Sequence, residues 1–215
     1  MAIITISRES LTGGKTVAEC LARALDCPLV GREVLQEAAE SLGVSANDLQ
    51  GRFETTPGLW ARLTKERERY FLAVQSALAE WCTRGHLVYH GVAGQFLLKG
   101  LPGVLRVLIV APMEMRVQNL LETHSRLTRD QVLDFIHKVD QERSRWVRIM
   151  YGADVQDPSL YDLTVNLRRM SMASACRIIA EASAQPRFEI SDEVEAELFS
   201  FAADCRRRLS LLKGS

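Results

Sequence analysis

A β-branched run, Ile3-Ile4-Thr5-Ile6, leads within a few positions to Thr12-Gly13-Gly14-Lys15-Thr16, and an apolar helical pattern over residues 16–25 follows at once. Strand, glycine turn and helix in that order make one unit of a parallel α/β sheet. The turn falls where backbone N–H groups and a helix N-terminus converge, which suits it to cradling phosphate oxygens. Thr12, Gly13 and Gly14 would form the cradle, because side chains at the glycines would block close approach of the backbone. Lys15 would reach the β- and γ-phosphates of a nucleotide, and the Thr16 hydroxyl would ligate Mg²⁺. Glu9 stands where the pattern GxxxxGK[ST] has its first glycine, so a strict search for that pattern passes this loop by. The plainer alternative is a glycine turn before a helix whose first turn contains Lys and Thr.

The rest of the chain continues the alternation. Residues 86–90 and 104–110 are nearly continuous apolar runs, as parallel strands covered on both faces require. Residues 27–30 and 160–165 read as shorter strands. Helical spacing predicts helices over 32–42, 59–81 and 113–122, and Thr128 with Gln131 forms a capping-box signature that opens a long helix to about residue 150. Two more helices begin near Ser171 and Ser191. Residues 45–53 are polar and short and receive no element.

Composition narrows the function classes. Acidic and basic residues balance at 27 each, so there is no basic excess of the kind that binds nucleic acid. The five cysteines are scattered and never paired as CxxC, which suits reduced thiols in a cytosol, and the four histidines offer no zinc-like grouping. No stretch approaches the roughly 20 apolar residues of a membrane span, and the N-terminal apolar run has no basic region before it. The expectation is a soluble cytoplasmic protein with neither a nucleic-acid nor a membrane partner; the oligomeric state is open.

Ile4-Thr5-Ile6-Ser7-Arg8-Glu9 ahead of the glycine turn, with Gly31-Arg32-Glu33-Val34-Leu35 opening the second helix, resembles the start of the cytidylate kinase-like family. Residues 98–107 running into Val110-Ala111-Pro112 resemble its central strand, and Val139-Asp140 through Arg143 to Tyr151-Gly152 resemble its lid. Residues 157–166 resemble its last strand. The resemblance spans roughly residues 1–180. It implies an α/β P-loop kinase fold: a parallel sheet of about five strands flanked by helices, with a helical acceptor-side insertion at about 32–85 and a lid region at about 116–152. The kinase-like domain would occupy residues 1–187, followed by a helical tail over 188–215.

The same resemblance implies ATP and Mg²⁺ as cofactors and transfer of the γ-phosphoryl group to a nucleoside monophosphate, CMP or dCMP favoured. Lys15 and Arg143 would act on the transferring group, with Asp140 orienting a lid arginine or the metal shell. Arg145, Arg148 and Arg116 are further cations for the phosphates, Arg32 would bind the acceptor phosphate, and His90, at the end of its strand, would bind the acceptor or act as a base. Each has a plainer reading: a solvated helix face for the arginines, an exposed first-turn residue for Arg32, a structural histidine for His90. Trp60, Trp81 and Trp146 read as core rather than base-stacking residues.

Leu11 stands where the family often has glycine, which would narrow the cradle. Val92 stands where relatives carry an arginine that grips the acceptor, and no Asp closes the strands beside the loop. Two other readings therefore stay open, a nucleotide-binding regulatory module derived from a kinase and a P-loop kinase for a different small acceptor.

Overall fold

The computed structural model describes residues 2–54, 64–91 and 93–213. Five strands, β1 (Ile3–Arg8), β2 (Leu29–Val30), β3 (Leu87–Tyr89), β4 (Val104–Val110) and β5 (Leu163–Asn166), form one parallel sheet in the order β2-β3-β1-β4-β5. Ile3 of the central strand pairs with Leu87 on one side and Val104 on the other. Side chains alternate across each strand, and here both alternating sets send apolar residues into a core. Ile3, Leu87, Tyr89 and Val104 enter one core, and Ile4, Ile6, Val88, Leu105, Val107 and Ile109 enter the other.

The second core is covered by α1 (Gly14–Ala24) and α8 (Met172–Ser183), through Val17, Leu21, Cys176 and Ile179. The first is covered by α2 (Arg32–Leu42), α4 (Thr64–Cys82) and α9 (Asp192–Lys213). Leu198 and Leu209 of α9 are buried in that same core, so the last helix is packed onto α4 rather than trailing from the domain. The arginines near its end pair locally: Arg206 Nε lies 2.8 Å from Glu80 and Arg207 Nη2 2.5 Å from Asp204.

Residues 46–54 form α3 (Ala46–Glu54), which the polar composition had not indicated. Leu49 is fully buried in the core, and burial of such a side chain, about 1.5–3 kcal/mol, outweighs the roughly 1 kcal/mol that Gly51 costs inside a helix. The last strand starts later than expected. Pro158–Leu160 is a 3₁₀ turn whose preceding Asp157 side chain accepts from the Ser159 N–H at 2.9 Å, and β5 begins only at Leu163. The predicted helix over 59–81 is seen from Thr64; its first residues, with Trp60 and Val92, lie outside the described residues. Trp81 packs against the first core, and Trp146 is buried with Phe96, beside Tyr151.

Gly31 joins β2 to α2 under a tight steric limit. A Cβ there would stand 2.9 Å from the His90 carbonyl oxygen, which is backbone and cannot swing away. Gly31→Ala is expected to cost about 1–3 kcal/mol by overpacking, seen as a melting temperature lower by roughly 2–12 °C for a domain this long. An unchanged melting temperature would mean that these segments do not hold the approach described.

Candidate active site

The loop between β1 and α1 leaves the sheet at its central strand, beside the point where the strand order reverses direction. Crevices at such points, outside the carboxyl ends of the strands, are where open α/β sheets bind ligands. Leu11 and Gly13 both have positive φ, 60° and 85°. For leucine this costs about 1–2 kcal/mol, and packing retains it. The Leu11 side chain lies against the cluster of Val117, Leu120, Val132 and Ile136, and its carbonyl accepts from Asn119 Nδ2 at 2.8 Å. Leu11 thus points away from the loop interior and ties the loop to α6 (Met113–Thr123) and α7 (Arg129–Tyr151).

Thr12 is fully buried and its hydroxyl donates to the Glu9 carbonyl at 3.2 Å, so it can offer a ligand only its backbone. A Cβ on Gly13 would run into the Met172 methyl, and one on Gly14 would lie 2.8 Å from Arg8 Cδ. Lys15 and Thr16 are exposed in the first turn of α1. Lys15 Nζ is 3.7 Å from Glu19, an exposed i,i+4 pair that holds it weakly.

Arg116 and Asp140 bind Ser10 of the loop to the two helices above it. Arg116 of α6, with its side chain only 4% exposed, donates from Nε to the Ser10 carbonyl at 2.7 Å and from Nη2 to Ser10 Oγ at 2.7 Å. It also forms a short ion pair with Asp140 of α7, and its Nη1 is 3.7 Å from Glu9. Asp140 Oδ1 accepts from Ser10 Oγ at 2.8 Å and from the Ser10 N–H at 3.2 Å. The arginine that Asp140 meets is thus Arg116. Arg116 is engaged by the protein itself and is not open to a phosphate.

The capping box at Thr128, with Gln131 Oε1 accepting from the Thr128 N–H at 2.9 Å, sets the start of α7. One turn beyond Asp140, Arg143 donates from Nη1 to the Arg8 carbonyl at 2.5 Å. Burial and the Arg143 charge both lower the Arg8 pKa. His90, just past β3, has a buried Nε2 with no hydrogen-bond partner among the described residues. Its pKa is pushed down to about 4, first by burial and then by the charges of Arg8, Lys15 and Arg143. The imidazole is neutral at neutral pH.

This predicts a one-sided pH dependence. A histidine whose folded pKa lies below its unfolded value near 6.5 stabilises the fold fully above pH 6.5, and that contribution is lost as pH falls towards about 4. A His90→Gln variant should lose less stability than the unsubstituted chain between pH 6.5 and 4.5 in denaturant titrations. Parallel curves for the two would refute the assignment.

The structure brings Lys15, Arg143, Asp140 and His90 to the loop. Arg32 opens α2 as an exposed residue and follows Gly31, the residue that lies against the His90 carbonyl. Arg145 and Arg148 are exposed on other sides of α7; Arg148 lies 3.9 Å from Asp154, and no described contact links either to the loop. Residues that sequence reasoning left unassigned are Arg8, Ser10 and Gln95. Gln95 sits on the unforeseen short helix α5 (Gly94–Leu97), where its Oε1 accepts from Ser7 Oγ at 2.8 Å. Arg8 carried a signal, as the first charge after an apolar strand; Gln95 carried none.

At Gly13 and Gly14 the close approach is that of the protein's own Met172 and Arg8 side chains. Thr16 offers one exposed hydroxyl. Among the described residues no group of three or more His, Cys, Asp or Glu side chains could hold a metal.

Comparison with known proteins agrees with this geometry. The chain is 24% identical over 182 residues to the cytidylate kinase of Methanosarcina barkeri, covering 83% of this chain and 94% of that protein. It is 25% identical over 179 residues to the cytidylate kinase of Pyrobaculum aerophilum, covering 83% and 90%. An uncharacterized protein from Eubacterium ventriosum matches the fold with a TM-score of 0.67 at 17% identity, over 85% of this chain and 98% of that one. Shikimate kinase from Bacteroides thetaiotaomicron matches with a TM-score of 0.50 at 12% identity, over 84% and 97%. No described helix is long and apolar enough to cross a membrane. The cytidylate kinase-like family pattern matches residues 3–169, and with a P-loop kinase fold and a phosphate-type loop on its central strand, this chain belongs to that family.

Proposed function

We propose that this kinase moves the γ-phosphoryl group of Mg-ATP to a nucleoside monophosphate, with CMP or dCMP favoured. The observation that carries the reading is the seating of α7 on the loop. Asp140 accepts from Ser10 and Arg143 donates to the Arg8 carbonyl, which keeps a lid cation beside the Gly13-Gly14 turn. Phosphoryl transfer needs little else from a protein than position and positive charge around the moving group. Lys15 supplies one charge from below and Arg143 another from above. Gly13, Gly14 and the Thr12 backbone would hold the triphosphate, the Thr16 hydroxyl would hold a magnesium ion that supplies neutralising charge, and Arg145 and Arg148 would approach the phosphates only if α7 moves. The acceptor lies towards Arg32 and His90, where a neutral imidazole contributes a hydrogen bond rather than a charge.

The relatives' names supply the acceptor class. ADP release from Mg-ATP should be measured with CMP, dCMP, UMP, AMP and no acceptor, beside a Lys15→Ala control. Stimulation by CMP or dCMP that the control lacks is the expected result. ATP binding without stimulation by any of them would replace this reading with a regulatory nucleotide-binding module or a kinase for another acceptor.

A further inference from the structure

Arg8 closes β1 at the mouth of the loop, and three observations fix what its side chain faces. Its stem runs along the first turn of α1 so closely that a Cβ on Gly14 would lie 2.8 Å from Arg8 Cδ and 3.1 Å from its Cβ. Its charge is felt by His90 at the end of β3, as are those of Lys15 and Arg143. The neighbouring acid is turned elsewhere: Glu9 Oε2 accepts from the Ala111 N–H at 3.3 Å and faces Arg116. The charge that acts on Arg8 is the like charge of Arg143, and no carboxylate among the described residues pairs with it. Like charges gathered in a half-buried pocket repel, and an anion placed among them relieves that repulsion.

We propose that Arg8 is a further catalytic residue of the phosphoryl transfer put forward above, its guanidinium binding the γ-phosphoryl group together with Lys15 and Arg143. In that step the bond from the γ-phosphorus to the β,γ-bridging oxygen breaks and its electron pair leaves with ADP. A new bond forms from the same phosphorus to an acceptor oxygen. With a phosphate monoester dianion as acceptor there is no proton to remove, which suits a site whose one histidine is flanked by three cations. Arg8 stands between donor loop and β3, so its fork follows the phosphoryl group from one oxygen to the other.

The inference separates ATP from ADP, because only ATP carries the γ-phosphate. Dissociation constants for Mg-ATP and Mg-ADP should be measured by calorimetry on the unsubstituted chain, Arg8→Met, Arg8→Lys and Lys15→Ala, with melting temperatures of the ligand-free proteins alongside. Arg8→Met keeps the stem that packs on Gly14 and loses the charge. We expect it to bind Mg-ATP roughly ten- to a hundredfold more weakly, the scale of one or two charge-assisted hydrogen bonds. Mg-ADP binding should stay within about threefold, and the ligand-free melting temperature should hold or rise as the repulsion with Arg143 goes. Arg8→Lys should recover part of the ATP affinity, and Lys15→Ala should weaken both nucleotides. Equal losses for ATP and ADP in Arg8→Met, no loss of either, or a melting temperature several degrees lower would overturn the role of Arg8 while leaving the loop assignment standing. Failure of the unsubstituted chain to bind either nucleotide would overturn the loop assignment and this role with it.

Discussion

Lys15→Ala is expected to lower acceptor-dependent ADP release by about 10²–10³-fold, the scale on which removing one preorganised donor from a developing charge acts. Lys15 stands in the first turn of α1, and its side chain is 71% exposed, with Nζ 3.7 Å from Glu19. Substitutions at such surface positions usually change stability by no more than about 0.5 kcal/mol. The loss should therefore appear in turnover while the melting temperature stays put. That separation makes the variant informative: a folded protein with an undiminished rate would remove the loop from the chemistry, and a large fall in melting temperature would contradict the exposed placement of Lys15.

Asp140→Ala should have the largest effect on stability. It strips the carboxylate that Arg116 meets in an almost fully buried position and leaves the guanidinium with Glu9 at 3.7 Å and with Ser10. Breaking a buried pair on one side typically costs about 3–5 kcal/mol, because the remaining charge is stranded away from water. For a domain this long that is a fall of about 6–20 °C in melting temperature. Activity should fall too, since α7 would no longer seat Arg143 beside the loop. A double variant, Asp140→Ala with Arg116→Met, removes the stranded charge and should recover part of the lost stability. Single and double variants with equal melting temperatures would show that the stranded charge is not the cause, and a single variant melting within 2 °C of the unsubstituted chain would show that the network does not hold the helices.

The two predictions probe different links between sequence and function. The strand, turn and helix that carry Lys15 were legible from local pattern alone, because an apolar run, a glycine pair and helical spacing follow one another directly. Asp140 and Arg143 were legible only through resemblance, and the partner of Asp140 was not legible at all. Ser10 and Asp140 are 130 positions apart, and nothing in either neighbourhood signals the other. Arg116 illustrates the same limit. Its sequence suggested a cation for phosphate, and the fold buries it as the brace between α6, α7 and the loop.

Periodicity along the chain carries the local part of the fold. Apart from Thr5 and Arg106, both alternating faces of residues 3–6 and 104–110 are apolar, which points to a sheet covered on two sides, and the order of strands and helices then requires parallel crossovers. The capping box of α7 and the glycine turn are equally local, so their signals lie within a few residues of one another. Tertiary structure alone decided the rest. It turned Leu11 outward into the α6–α7 cluster, recruited residues 46–54 into a helix through the burial of Leu49, and packed α9 onto α4. It also gathered Arg8, Lys15, His90 and Arg143 around one loop. The reason is physical: a side chain's charge state and partners are set by what surrounds it in space, and these four residues are brought together by the register of β1 against β3 and the seating of α7 rather than by any spacing along the chain.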